Sequence, residues 1–206
     1  MYEYEKELLH QGFLNICGVD EAGRGPLAGP VVAGAVILDP NVFIDGLNDS
    51  KQLSKKKRDY LAKEIKEKAK AYGIAFVNEK EIDKINIYQA SKKAMLLAIE
   101  KCNITPDYIL SDAMPLTEIT IPSLPLIKGD TLSASIAAAS ILAKVTRDEF
   151  MEEMALKYPG YGFEKHKGYP TLIHMNALKL LGVSEIHRLS YAPIKRMIQE
   201  QLRLDL

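Results

Sequence analysis

Residues 18–30 read GVDEAGRGPLAGP. The acids Asp20 and Glu21 end an apolar run containing Leu14, Ile16, Cys17 and Val19, and the glycines and prolines that follow forbid continued regular structure. This order predicts a buried strand with two carboxylates at its end. Gly23 and Gly25 flank Arg24, so the backbone there can take positive φ and approach a ligand closely, while the guanidinium offers charge to an anion. Acids beside an anion-friendly loop point to metal-assisted chemistry on a phosphate. An Asp-Glu pair before glycine is also common turn chemistry, so the stretch by itself leaves catalysis and punctuation both open.

Working outward, Pro30 to Leu38 is a β-branched run long and apolar enough for a central strand buried on both faces, and its closeness to the first strand predicts a hairpin start. Upstream, residues 2–11 have the composition of a short docking helix. Downstream, Leu53, Leu61 and Ile65 mark the apolar side of a helix over 54–71 with Ser54 as N-cap. A strand over 73–77, helices over 79–84 and 88–101, a strand at 108–110 running into Ser111-Asp112, and a strand over 124–127 follow. The Ser- and Ala-rich stretch 132–157 reads as one long helix whose small residues permit close packing on a sheet. A glycine-bearing loop then leads to helices over 172–181 and 192–204. Strands first, then alternating helices and strands, then helices, is the pattern of an α/β fold with a mixed sheet.

The chain has 206 residues, 47% hydrophobic and 26% charged, ordinary values for one globular domain. No apolar run reaches the roughly 18–20 residues needed to span a bilayer, and MYEYEKELLHQ lacks the features of a signal peptide, so the expected location is the cytoplasm. Cys17 and Cys102 lack CxxC spacing and read as buried free thiols. A net charge of zero argues against a purely electrostatic grip on nucleic acid. The total conceals a segregation: residues 51–100 carry 13 basic and 7 acidic side chains, whereas 1–50 carry 2 and 8. Such blocks suit a carboxylate-built metal site flanked by phosphate-binding surfaces, and solvated helix faces produce the same excess.

Asp112 and Asp130 add carboxylates at two further strand ends. Hard divalent cations take oxygen ligands, and a pair of them about 4 Å apart can serve both the attacking and the leaving oxygen of phosphoryl transfer. Singly, Asp112 is also a turn former and Asp130 a helix cap. Lys144, Arg147 and Asp148 lie within one helical turn, facing a common cleft or pairing along the helix. Thr131, Ser133 and Ser135 bring hydroxyls to the helix start, whose first amides are a potential anion site. His10, His166, His174 and His187 have no ligand spacing and read as surface or loop residues, with His187 beside Arg188 a weak phosphate-binding candidate.

Taken in order, GVDEAGRGPLAGPVVAGAV, Asn48-Asp49-Ser50-Lys51, Lys128-Gly129-Asp130, the segment from Ser135 to Asp148 and Gly168-Tyr169-Pro170 closely resemble the motifs of ribonuclease HII, the type 2 branch of the ribonuclease H family. The likeness spans residues 16–190. It implies a ribonuclease H-like mixed five-stranded sheet flanked by helices, with a C-terminal helical extension: an N-terminal helix in 1–13, a core in 14–157 and the extension in 158–206, together one catalytic domain. It implies that Asp20, Glu21, Asp112 and Asp130 are catalytic, metal-binding acids for Mn2+ or Mg2+, with Ala113 where many members have glycine. It further implies that Gly23, Arg24 and Gly25 read the ribose 2′-hydroxyl and that Tyr169 packs on that ribose. Arg24, Lys51, Lys144, Arg147 and Arg188 become candidates for holding phosphates. The expected substrates are RNA/DNA hybrids and duplex DNA with embedded ribonucleotides, cut by a monomeric enzyme to 3′-hydroxyl and 5′-phosphate ends. A ribonuclease HIII-like enzyme and a non-catalytic nucleic-acid-binding module are the alternatives.

Overall fold

The computed structural model describes residues 1–204, with side chains as far as residue 200. Its elements are α1 (Glu3–His10), β1 (Ile16–Ala22), β2 (Val31–Ile37), α2 (Lys55–Lys68), β3 (Ala71–Val77), α3 (Glu79–Glu100), β4 (Tyr108–Asp112), β5 (Ser123–Leu126), α4 (Gly129–Leu132), α5 (Ala134–Lys157), α6 (Phe163–His166), α7 (Leu172–Leu181) and α8 (Ala192–Leu204). Residues 205–206, the end of the expected extension, lie outside the described residues. The strands form one mixed sheet in the order β3-β2-β1-β4-β5. β1–β2 and β2–β3 pair antiparallel, while β1–β4 and β4–β5 pair parallel, so the hairpin start and the α/β reading both hold. Among the described residues no helix is long and apolar enough to cross a membrane.

β2 is buried along its whole length, as its unbroken apolar run requires of a strand covered on both faces. Val31, Ala33, Ala35 and Ile37 enter the core beneath α3, and Val36 enters the core shared by α2 and α5. The small residues of α5 do what their composition predicts. A Cβ added at Gly18 of β1 would lie 2.0 Å from the carbonyl carbon of Ser135, and one at Gly34 of β2 would lie 2.5 Å from the carbonyl oxygen of Ala139. Backbone rests on backbone where strands meet helix, which fixes the height of β1 and hence of its terminal acids.

Two local readings change and a third holds. The expected helix over 132–157 is interrupted at Ser133, whose backbone is extended (φ −114°, ψ 131°). Asp130 therefore sits in the separate turn α4 and not at a strand end. The two helices expected over 79–84 and 88–101 are both present: α3 is kinked between them at Asn86 (φ 66°, ψ 165°), whose side chain accepts from Gln89 N. The first amides of α5 are no vacant anion site. Glu5 of α1 accepts from Ser135 N at 2.9 Å and from the Ser133 hydroxyl, and Ser133 Oγ in turn accepts from Ile136 N. The protein's own carboxylate takes the place of an external anion and pins the N-terminal helix to the core.

The C-terminal elements share a further apolar core. Phe163, Leu178, Ile186 and Ile194 pack with Met151 of α5 and with Leu27 and Ala28 from the segment after β1. His166, His174 and His187 lie inside this unit, 8%, 0% and 1% exposed, so none is a surface residue, and of the three only His187 lies in a loop, outside the named helices and strands. Aromatic neighbours explain their burial. His166 stacks on His174, and Phe163 lies near all three rings. His10 alone of the four is exposed.

Candidate active site

β1 and β4 run parallel with Val19 opposite Ser111, so the next residue of each strand, Asp20 and Asp112, emerges at the same end of the sheet. The left-handed backbone of Lys128 (φ 58°) turns the chain after β5 so that α4 brings Asp130 to the same place. Asp112 Oδ1 fixes that turn by accepting from Gly129 N at 2.7 Å. One carboxylate oxygen from each of Asp20, Asp112 and Asp130 lies within 4.8 Å of the others. The fourth expected acid, Glu21, stands beside this group without joining it. Its Oε1 faces Arg24 at 3.3 Å, and its Oε2 is buried with no hydrogen-bond partner.

The cleft over these acids is lined by Asp20, Glu21, Asp112, Ser50, Lys51, Ser140, Lys144 and Arg147 together with residues 22–25 and Tyr169. Ser50 and Ser140 hydroxyls are hydrogen-bonded at 3.0 Å. Lys51 Nζ approaches Asp130 at 3.9 Å. Lys144 pairs with Asp148 at 2.7 Å along α5, and Arg24 extends into solvent from the glycine turn. A second, more apolar pocket lies between α1 and residues 38–43, at the opposite end of β1. Of its two acids, Glu5 is engaged at the N-terminus of α5 and Asp39 accepts from Asn41 N in its own turn, so the chemistry belongs to the carboxylate cleft.

Burial, followed by the charges of Glu21 and Asp112, raises the Asp20 carboxyl well above its ordinary value. Burial also raises Glu21, against the opposing charge of Arg24, and burial with Asp112 and Asp49 raises Asp130. Burial would depress the Lys51 ammonium, yet Asp49, Asp130, Asp20 and Asp112 together hold it above its ordinary value. A crowded group of acids that resist ionisation, with one orphaned carboxylate oxygen nearby, fits a hard divalent cation. Asp20, Asp112 and Asp130 would hold it, with Glu21 Oε2 free to contribute.

That electrostatic strain has a pH signature. The folded protein binds protons on Asp20, Glu21 and Asp130 more tightly than the unfolded chain. Metal-free stability is therefore expected to fall as pH rises from the ordinary carboxylate range towards the raised folded values. Thermal melts in EDTA and in magnesium across this range should show the metal's stabilisation growing with pH. An increment independent of pH would contradict the coupling.

Two expected phosphate ligands, Arg147 in the lining of the cleft and Arg188 behind it, have their guanidiniums engaged by the protein's own backbone. Arg147 and Arg188 are 1% and 0% exposed. Arg147 donates to the carbonyls of Pro30 (2.9 Å), Lys167 (3.0 Å) and Ala28 (3.1 Å). Arg188 donates to Gly29 O, Arg24 O and Gly23 O and to the Tyr191 hydroxyl. These carbonyls belong to residues 23–30 and to the turn before Tyr169. The two guanidiniums hold the walls of the cleft in shape, which leaves Arg24, Lys51 and Lys144 as the lining cations not tied to backbone carbonyls. Sequence reasoning missed Ser140 and the interior position of Arg147. The helical series Ser140, Lys144, Arg147 carried the signal, since these residues share one face of α5.

The family profile named Ribonuclease HII matches residues 17–194. A Ribonuclease HII of Bacillus mycoides (strain KBAB4) is 54% identical over 200 residues, 97% of this chain and 77% of that protein. Among solved structures, the ribonuclease H2 of Pyrococcus horikoshii OT3 superposes with a TM-score of 0.77 at 28% identity, covering 92% of this chain and 99% of that one. The ribonuclease HII of Archaeoglobus fulgidus, solved in complex with PCNA, gives a TM-score of 0.72 at 26% identity over 86% and 95% of the two chains.

Proposed function

The chain belongs to the ribonuclease HII family, and on that premise we propose that it hydrolyses the RNA strand of RNA/DNA hybrids and incises duplex DNA 5′ of an embedded ribonucleotide. The products are a 3′-hydroxyl and a 5′-phosphate. The observation that carries this reading is the convergence of Asp20, Asp112 and Asp130 within 4.8 Å, directly beside the Gly23-Arg24-Gly25 turn and Tyr169. Family membership favours this branch over a ribonuclease HIII-like enzyme, and the assembled acids favour catalysis over a passive binding module.

A pair of magnesium or manganese ions held by these acids would supply the Lewis acidity to activate a water and to offset charge on the leaving 3′ oxygen. The chain itself does the rest. Asp20, Asp112 and Asp130, with Glu21, would supply the oxygens that hold divalent cations. Arg24, Lys51 and Lys144 place the flanking phosphates, contacts that orient the duplex without reading its sequence. The 2′-hydroxyl distinguishes RNA from DNA at a single residue, and the backbone of Gly23 and Gly25 can approach it closely because no side chain intervenes. Tyr169, 42% exposed, has its ring against Gly25, where a Cβ would sit 3.5 Å from the ring edge. An aromatic face there stacks against the sugar that the turn reads.

A labelled DNA duplex carrying one ribonucleotide, incubated with and without divalent metal, tests the proposal. A metal-dependent cut at the 5′ side of the ribonucleotide is expected, and cleavage of continuous hybrids without any such incision would refute the finer claim. Tyr169→Ala is expected to lower single-ribonucleotide incision by roughly tenfold or more while leaving the metal concentration at half-maximal rate unchanged. Unchanged incision kinetics would remove Tyr169 from substrate recognition.

A further inference from the structure

The three buried histidines are hydrogen-bonded in a way that fixes every tautomer. Ser184 N donates to His187 Nδ1 at 2.9 Å, so the proton of that ring is on Nε2. His187 Nε2 lies 3.0 Å from His174 Nε2, which therefore accepts. The remaining proton of His174 is on Nδ1, 2.9 Å from the carbonyl oxygen of Tyr169. In His166, Nδ1 accepts from Gly168 N at 3.2 Å and Nε2 donates to Tyr161 O at 2.8 Å. All three rings are neutral, and each ring nitrogen has a partner. Burial, then the neighbouring histidine, presses both His174 and His187 down to about 4.

The relay ends on the turn that presents Tyr169. Gly168 is in the left-handed region (φ 85°), and a Cβ there would lie 2.5 Å from Ala28 O. Its own carbonyl accepts from Leu27 N at 2.8 Å. The turn is thus held on one side by the segment after β1, and on the other by His166 at Gly168 N and His174 at Tyr169 O. The Tyr169 side chain has no hydrogen bond of its own among the described residues, so its direction is inherited from this backbone.

We propose that His174 and His166 are positioning residues for substrate recognition: through the backbone of Gly168 and Tyr169 they aim the Tyr169 ring over Gly25, and so set how well the enzyme recognises a lone ribonucleotide. This inference rests on the role given to Tyr169 above.

Amide substitutions separate the two ring nitrogens. His174→Asn places an N–H where Nδ1 stands and keeps the bond to Tyr169 O while removing the acceptor for His187. His174→Gln places its amide near Nε2, keeps a partner for His187 and loses the bond to Tyr169 O. kcat/KM on a duplex with one ribonucleotide is expected to fall about tenfold in the glutamine variant and to stay within about twofold of the parent in the asparagine variant. Combined with Tyr169→Ala, His174→Gln is expected to add no more than about a twofold further loss, because its effect passes through that ring. The metal concentration at half-maximal rate is expected to be unchanged throughout. Equal loss in both amide variants, or a full additional loss on top of Tyr169→Ala, overturns the proposal as mere structural damage. An unimpaired Tyr169→Ala enzyme overturns the Tyr169 reading itself and this inference with it. Should His174→Gln fail to fold, the same pair at position 166 decides: His166→Asn retains an acceptor for Gly168 N and should stay active, while His166→Gln loses it and should not. Inverted or equal activities there reject the proposal.

Discussion

Asp130→Asn is expected to lower the cleavage rate by at least about a thousandfold, on the order of 4 kcal/mol of lost transition-state stabilisation. Asn is nearly the same size, so α4 and the adjoining acids keep their places, but the amide withdraws one anionic ligand from a group whose members lie within 4.8 Å. Binding of a hybrid measured by anisotropy in EDTA is expected to change by less than about threefold, because phosphate contacts come from other residues. The same substitution should raise the melting temperature of the metal-free protein. Burial and the charge of Asp112 already lift the Asp130 carboxyl above its ordinary value, and a neutral side chain removes that repulsion. A gain in stability with a loss of activity is what a strained cation site predicts and a structural aspartate does not. Cleavage comparable to the parent at saturating magnesium would remove Asp130 from the catalytic set.

The sequence made the sheet legible because its strands announce themselves differently. β2 is an unbroken run free of polar side chains and is buried at every position, and β1 carries Asp20 and Glu21 just before its last residue, Ala22. The Ser54 cap was also readable, and its side chain does accept from Lys57 N. The break at Ser133 was not, since Thr131, Leu132 and Ser133 are all compatible with a continuous helix. Only the tertiary bond between Glu5 and the first turn of α5, spanning 128 residues of sequence, requires that turn to begin afresh. The acids were found by type and order, but the distinction between three converging carboxylates and Glu21 beside them depends on register. Arg147 and Arg188 show the opposite failure. Charge suggested phosphate, whereas the surrounding loops turn so many carbonyls inward that buried guanidiniums are needed to satisfy them. The histidines were misread for a similar reason. Imidazole carries a donor and an acceptor, so a neutral ring can be buried wherever both find partners, and nothing in the spacing of 166, 174 and 187 reveals those partners.

The first residue of the opening stretch carries the largest stability effect. Gly18→Ala is expected to destabilise the protein by at least about 3 kcal/mol, lowering Tm by roughly 6–12 °C. The added methyl would stand 2.0 Å from the Ser135 carbonyl carbon and 2.3 Å from Ile136 N, both backbone atoms of α5, so no rotamer change can relieve the overlap. The alternatives are to lift α5 from β1 or to displace β1 within a sheet where it is paired on both sides. Either movement reaches the cleft, because Asp20 lies two residues along β1 and Ser140 and Lys144 lie further along α5. The folded fraction of Gly18→Ala is therefore expected to need more metal for half-maximal cleavage than the parent. Gly12→Ala serves as the comparison: nothing lies within 4 Å of its Cβ position, so only left-handed backbone strain remains, about 1–2 kcal/mol. Denaturant melts of the two variants measure the difference directly. A Gly18→Ala protein that unfolds at the same denaturant concentration as Gly12→Ala would show that the close seat of α5 on β1 does not set the height of the catalytic strand.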